Sequence, residues 1–258
     1  MTPEGQTTMD EQNCGQKITM GCIEYAEYNR MYIKPTKLGQ WLNKRTWEDL
    51  LDWTAVIPGC VLEIGPGRGY VGDFCKEYGM DYTCIEATKN LHNSMIERGF
   101  NSYNSFVPPL PDEVKNGKKF DIAVAMAVLE HMPTHKEALQ LVTEIKETLN
   151  PGGSIVLHVP EFNGKDFYRN TFDHSYPCTR ERLYGLLKAA GYINIRTEYA
   201  CFVFRGIIAR LWSCLHWLFP FEFIKELFPN NKYAIRFQKI RSIFALCIYA
   251  KGQRIGRT

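Results

Sequence analysis

The chain has 258 residues, 45% of them hydrophobic and 23% charged, with 31 Lys and Arg against 28 Asp and Glu. That apolar share with balanced charge excludes wholesale disorder, and the length suits one large domain or one domain carrying an insertion. A net charge of +3 over so long a chain is not the footprint of a dedicated nucleic-acid binder.

In chain order, residues 1–22 read as a polar arm with no apolar run, so a cleaved secretory signal is not expected there. Residues 23–258 read as the folded domain. Tyr25, Tyr28 and Tyr32, then Trp41, Leu42, Trp47, Leu50 and Leu51, fall at near-helical spacing and predict two short helices on either side of Lys34-Pro35. From Cys60 onward, strands alternate with helices. Strands are predicted at 60–64, 82–86, 102–106, 120–125, 154–159, 192–197 and 242–250. Helices are predicted at 71–78, 89–98, 136–149 and 180–190, with the proline-rich stretch after Phe106 as a loop. This alternation predicts a doubly wound, mostly parallel seven-stranded α/β sheet. Runs such as VLEI and FDIAVA lack polar alternation, as strands buried on both faces do. The nine cysteines are scattered without a CxxC pair, which reads as reduced thiols in a cytoplasmic protein rather than a zinc site. No stretch reaches the roughly 18 apolar residues of a membrane-spanning helix.

The chemistry concentrates where the first strand runs into Gly65-Pro66-Gly67-Arg68-Gly69. Glycines there let the backbone turn sharply and let a ligand approach without a Cβ in the way. The stretch lacks the Lys-Ser/Thr of a phosphate loop, and Tyr70 stands where a dinucleotide fingerprint has its third glycine. Glu86 ends the second strand, where a carboxylate can accept from both hydroxyls of a ribose. Glu63 lies inside an apolar strand, where a carboxylate is costly unless it has work to do. Carboxylates beside the loop favour a cationic ligand group over a pyrophosphate.

The blocks VLEIGPGRG, CIEA, FDIAVAMAVLEHM and LNPGGSIVLHVPE resemble, in order and spacing, those of class I S-adenosylmethionine-dependent methyltransferases, in their small-molecule branch. The resemblance spans about residues 55–200 and the final strand. It implies S-adenosyl-L-methionine as cofactor, with the methionine part on Glu63, Gly65, Pro66, Gly67 and Gly69 and the ribose on Glu86 and Ala87. It also implies that Met126, Ala127, Glu130 and His131 border cofactor and acceptor. The third-strand segment departs from the family, since Asn104 and Ser105 stand where an acidic residue is common.

Methyl transfer from a sulfonium needs alignment, and a base helps when the acceptor is a hydroxyl. His174, in the loop before the helix that opens at Thr179, and His131 are the candidates for catalysis. His158, within a strand, reads as a core residue, and Asp173 and Tyr176 lie in the His174 loop. No metal is expected. The implied activity is methylation, at oxygen, of a small or lipid-like acceptor and not of nucleic acid. A non-catalytic module on the same fold and a nicotinamide-dependent oxidoreductase are the alternatives.

Residues 198–241 form an aromatic-rich insertion, predicted helical, in a connection that is short in the family. Phe204, Ile207, Ile208, Leu211, Leu215 and Leu218 recur at helical spacing in it. A lid over an apolar pocket, a peripheral contact of residues 202–228 with the inner membrane face, and a homodimer surface all fit this stripe.

Overall fold

The computed structural model describes residues 37–162, 174–201, 204–214 and 246–256. The predicted arm, the tyrosine-bearing first helix, Asp173 and residues 215–241 of the insertion lie outside them. Eight described strands form one sheet, ordered β3-β2-β1-β4-β5-β8-β6-β7: β1 (Cys60–Ile64), β2 (Asp81–Glu86), β3 (Asn101–Asn104), β4 (Phe120–Met126), β5 (Leu149–Pro160), β6 (Ile193–Cys201), β7 (Phe204–Arg205) and β8 (Cys247–Gln253). The pairs among β3, β2, β1, β4 and β5 are parallel, and β8 runs antiparallel to both β5 and β6. The expected architecture is present with one strand more than the seven foreseen. The extra strand, β7, pairs antiparallel with the end of β6, which continues past Thr197 to Cys201.

Helices cover both faces because successive strand residues point to opposite sides. Leu62 and Ile64 of β1 and Ala123 and Ala125 of β4 enter one apolar cluster, with α4 (Asp112–Asn116), α5 (His135–Thr148) and α6 (Arg180–Ala189). Val61, Ile122 and Val124 enter the other, with α1 (Lys37–Thr54), α2 (Tyr70–Glu77) and α3 (Lys89–Glu97). Trp47, Leu50 and Trp53 put one face of α1 into that second cluster, whereas Trp41 is exposed. Trp47 meets Phe74 edge-on with ring centroids 6.1 Å apart. Trp53 lies 5.5 Å from the ring of Tyr249 and donates its indole N–H to Glu198, tying α1 to β6.

Two differences from expectation have local causes. Asp112–Asn116 forms a short helix inside the proline-rich loop, where Pro111, whose ring fixes φ, stands just ahead of the first turn. Strand β5 starts at Leu149, which pairs with Phe120 before a register shift ahead of Ile122. Gly153 permits that shift, because a Cβ there would come within 3.0 Å of the Asn150 and Phe120 carbonyl oxygens. Four of the seven described cysteines are buried, and all seven are free thiols.

Candidate functional site

Strand order reverses beside β1: β2 lies on one side and β4 on the other, so the chain leaves a crevice beyond their carboxyl ends. The glycine segment fills its floor. Gly65, Gly67 and Gly69 all have positive φ, of 65°, 51° and 70°. Only glycine adopts such values without strain. Their surroundings differ. A Cβ on Gly65 would meet Val128 at 2.7 Å, and one on Gly69 would meet Met95 at 2.5 Å, whereas one on Gly67 would meet nothing within 4 Å. Gly65 and Gly69 are therefore glycine for packing, and Gly67 faces open space. The Gly69 N–H donates to the Pro66 carbonyl at 2.8 Å, closing the turn that leads into α2.

Glu86 is buried and clamps this loop. One carboxylate oxygen accepts from the Gly67 N–H at 3.1 Å and the other from the Thr88 N–H at 2.9 Å. The Thr88 side chain and the Ala87 N–H also donate to this carboxylate. Burial raises the Glu86 pKa above the usual carboxylate value, against those backbone donors. Ala87 follows at the crevice edge, and its carbonyl and that of Glu86 accept from the Asn104 side-chain amide at 3.1 and 2.8 Å. Asn104 thus spends its donors on holding β2 to β3.

Glu63 sits beneath the loop, buried, and accepts a hydrogen bond from the Tyr82 hydroxyl. Burial pushes its pKa up to about 8, with Tyr82 opposing and Glu86 adding to the rise. The folded chain therefore holds a proton there that the unfolded chain releases near pH 4.5, so stability falls as pH rises from about 4.5 to 8. Glu63→Gln is expected to remove a loss on the order of 3 kcal/mol between pH 5 and 8. Urea denaturation at the two pH values checks it, and an unchanged pH dependence in the variant would refute the assignment.

Sequence reasoning did not anticipate Arg98. Its guanidinium donates to the carbonyls of Arg68 at 2.7 Å and Gly69 at 3.2 Å and pairs with Asp73, locking the loop against α2. Nothing periodic in the sequence marks it, because the contact is made across the turn from α3 back to the glycine loop.

On the other side of the crevice, β4 ends at Met126, paired with His158 of β5. The Ala127 N–H extends that ladder to the His158 carbonyl at 2.7 Å, and its φ of 54° turns the chain sharply away. A non-glycine residue in that region stores about 1 kcal/mol or more of strain. The turn carries Val128 onto Gly65 and leads into a 3-10 turn, Leu129–His131. There Glu130 is fully buried, and its carbonyl accepts from the Tyr176 N–H at 2.9 Å, which fastens the His174 loop. The His131 and His174 rings stand edge to face with centroids 4.8 Å apart. The structure thus brings the two candidate histidines together, with Glu130 beside them. His158 lies apart, 5.2 Å from the Tyr249 ring, and burial lowers its pKa to about 4, which keeps it uncharged at neutral pH.

These residues suit S-adenosylmethionine. An open cradle at Gly67, an adjacent buried carboxylate at the tip of β2, and no lysine for a phosphate match a nucleoside bearing a sulfonium and an amino acid. Comparison with known proteins points the same way. A family described as methyltransferase domain matches residues 32–197. No curated protein matches the sequence. Among solved structures, a SAM-dependent methyltransferase from Archaeoglobus fulgidus aligns at 18% identity and a TM-score of 0.53, over 81% of this chain and 94% of its own. The phosphoethanolamine N-methyltransferase 2 of Haemonchus contortus, solved with phosphomonomethylethanolamine and S-adenosylhomocysteine, aligns at 15% identity and a TM-score of 0.58. That match covers 85% of this chain and 54% of its own length. At such identities the likeness is one of fold.

Proposed function

The chain belongs to the methyltransferase-domain family of class I S-adenosylmethionine-dependent methyltransferases, and from that premise we propose that it methylates a hydroxyl of a small, apolar or lipid-like acceptor. When bound, S-adenosylmethionine supplies an electrophilic methyl group. The residues that would hold it are the Gly65–Gly69 segment with Glu63 beneath, Glu86 and Ala87 at the ribose, and Met126 and Ala127 along the β4 side. Their work is positional: a loop locked by Glu86 and Arg98 fixes the donor before the acceptor arrives, and alignment of this kind is worth up to roughly 7–11 kcal/mol.

The observation that carries the choice of oxygen is the convergence of Glu130, His131 and His174 at the end of β4. An amine that is already neutral needs no help before it attacks, whereas a hydroxyl is a weak nucleophile until its proton is drawn away. Two imidazoles and a carboxylate at the end of β4 would supply that pull.

The acceptor's apolar character is supported by α7 (Gly206–Cys214), where Ile207, Ile208 and Leu211 are exposed and Ala209 is the buried residue. This places an apolar stripe on the outside of the helix, suited to a peripheral contact of residues 202–228 with the inner membrane face or to an apolar acceptor. No helix among the described residues is long and apolar enough to cross a membrane.

A screen with methyl-labelled cofactor tests the proposal, offering phenols and hydroxylated lipids against amines of matched size, with and without anionic vesicles. Label in a hydroxylated apolar acceptor, stimulated by vesicles, is expected. Transfer confined to amines would refute oxygen as the acceptor atom, and transfer confined to polar, water-soluble acceptors would refute the apolar class.

A further inference from the structure

We propose that Glu130, His131 and His174 form a binding site for a divalent transition-metal ion of the zinc type, which holds and acidifies the acceptor hydroxyl. The inference deepens the proposed function and rests on it for the role of the ion, though not for its binding. The ligand atoms of these three side chains all lie within 4.8 Å of one another. Donors that each sit 2.0–2.2 Å from a single tetrahedral ion are about 3.3–3.6 Å apart, so side-chain rotations that close the widest separation by up to about 1.5 Å complete the geometry.

The donor types are those of a catalytic metal centre. Two imidazoles and one carboxylate make three protein ligands and leave a position open, whereas structural zinc sites use four. The burial pattern agrees. Glu130 is fully buried, while His131 and His174 are each half-buried. A carboxylate taken wholly out of water carries a desolvation cost of several kcal/mol, which a cation on its oxygens offsets.

The site is also held together by the backbone. Glu130 and His131 share the 3-10 turn, and the Tyr176 N–H bonded to the Glu130 carbonyl fixes the loop two residues from His174. Position completes the argument. Val128, one residue before the turn, packs on Gly65, so the ion would stand across the crevice from the cofactor loop.

A metal-bound hydroxyl ionises far more readily than a free one. The acceptor oxygen binds the open position and gives its proton to water. It then attacks the methyl carbon; the O–C bond forms, the C–S bond breaks, and its electron pair remains on sulfur. The ion keeps its oxidation state throughout.

The test uses the full chain, stripped with a chelator and dialysed against Co²⁺ or Zn²⁺ without cofactor. Elemental analysis gives the stoichiometry, and the visible absorption of Co²⁺ reports its ligands. One ion per chain is expected, with affinity at least about 10-fold weaker in Glu130→Gln and in His174→Gln. His174 lies on a loop, so its variant serves if the buried Glu130 variant fails to fold. S-adenosylmethionine affinity within twofold of the parent shows that the cofactor site is intact. A parent chain that retains no ion, or variants that retain it equally, would overturn the proposal and point to a hydrogen-bonded triad acting as base. Failure to bind S-adenosylmethionine would instead count against the proposed function, so the two outcomes are separable.

Discussion

Glu86→Ala is expected to weaken S-adenosylmethionine binding by at least about 100-fold, close to 3 kcal/mol. Two separate contributions converge on this carboxylate. Its oxygens hold the N–H groups of Gly67 and Thr88, so truncation leaves two backbone donors without acceptors and frees the loop. The same oxygens would accept from the ribose, and hydrogen bonds to a charged group contribute about 1.5–3 kcal/mol each. Glu86→Gln separates the two. An amide keeps one acceptor for the loop and loses the charge, so it should fall between the parent and the alanine variant. Equal affinities for all three chains, measured by calorimetry, would remove Glu86 from the site.

Gly67→Val is expected to leave the chain folded and to abolish detectable cofactor binding. A valine at φ 51° is strained by roughly 1–3 kcal/mol, a cost a domain of this size can survive. A Cβ there meets no protein atom within 4 Å. It would stand in the space proposed for the cofactor. The contrast is with Gly69→Val, whose side chain would drive into Met95 and Arg98, so that loss of binding there would come through loss of structure. Circular dichroism beside the calorimetric titration distinguishes the cases. A Gly67→Val chain that still binds would mean that the ligand approaches from elsewhere.

The glycine loop and its two carboxylates were legible in the sequence because all of that information is local: an apolar strand, a run of glycines, and an acidic residue at the tip of the next strand. The strands from β1 to β4 began and ended within two residues of their expected bounds for the same reason. What stayed hidden was tertiary. Arg98 reaches the loop across the turn after α3 with no pattern to announce it. His131 and His174 were each singled out, but their meeting, with Glu130 beside them, depends on Tyr176 docking on the 3-10 turn. Strand β7 is two residues long and carries no period of its own, existing because the end of β6 offers it an edge. The expected helical insertion is helical over Gly206–Cys214, preceded by that hairpin, and its apolar stripe faces outward.

The central claim is that the crevice at the end of β1 binds S-adenosylmethionine, and calorimetric titration of that cofactor into the full chain tests it most directly. The account predicts saturable binding of one cofactor per chain, displaced by S-adenosylhomocysteine and absent in Gly67→Val. A folded chain that gives no binding heat and no thermal stabilisation with the cofactor would contradict it.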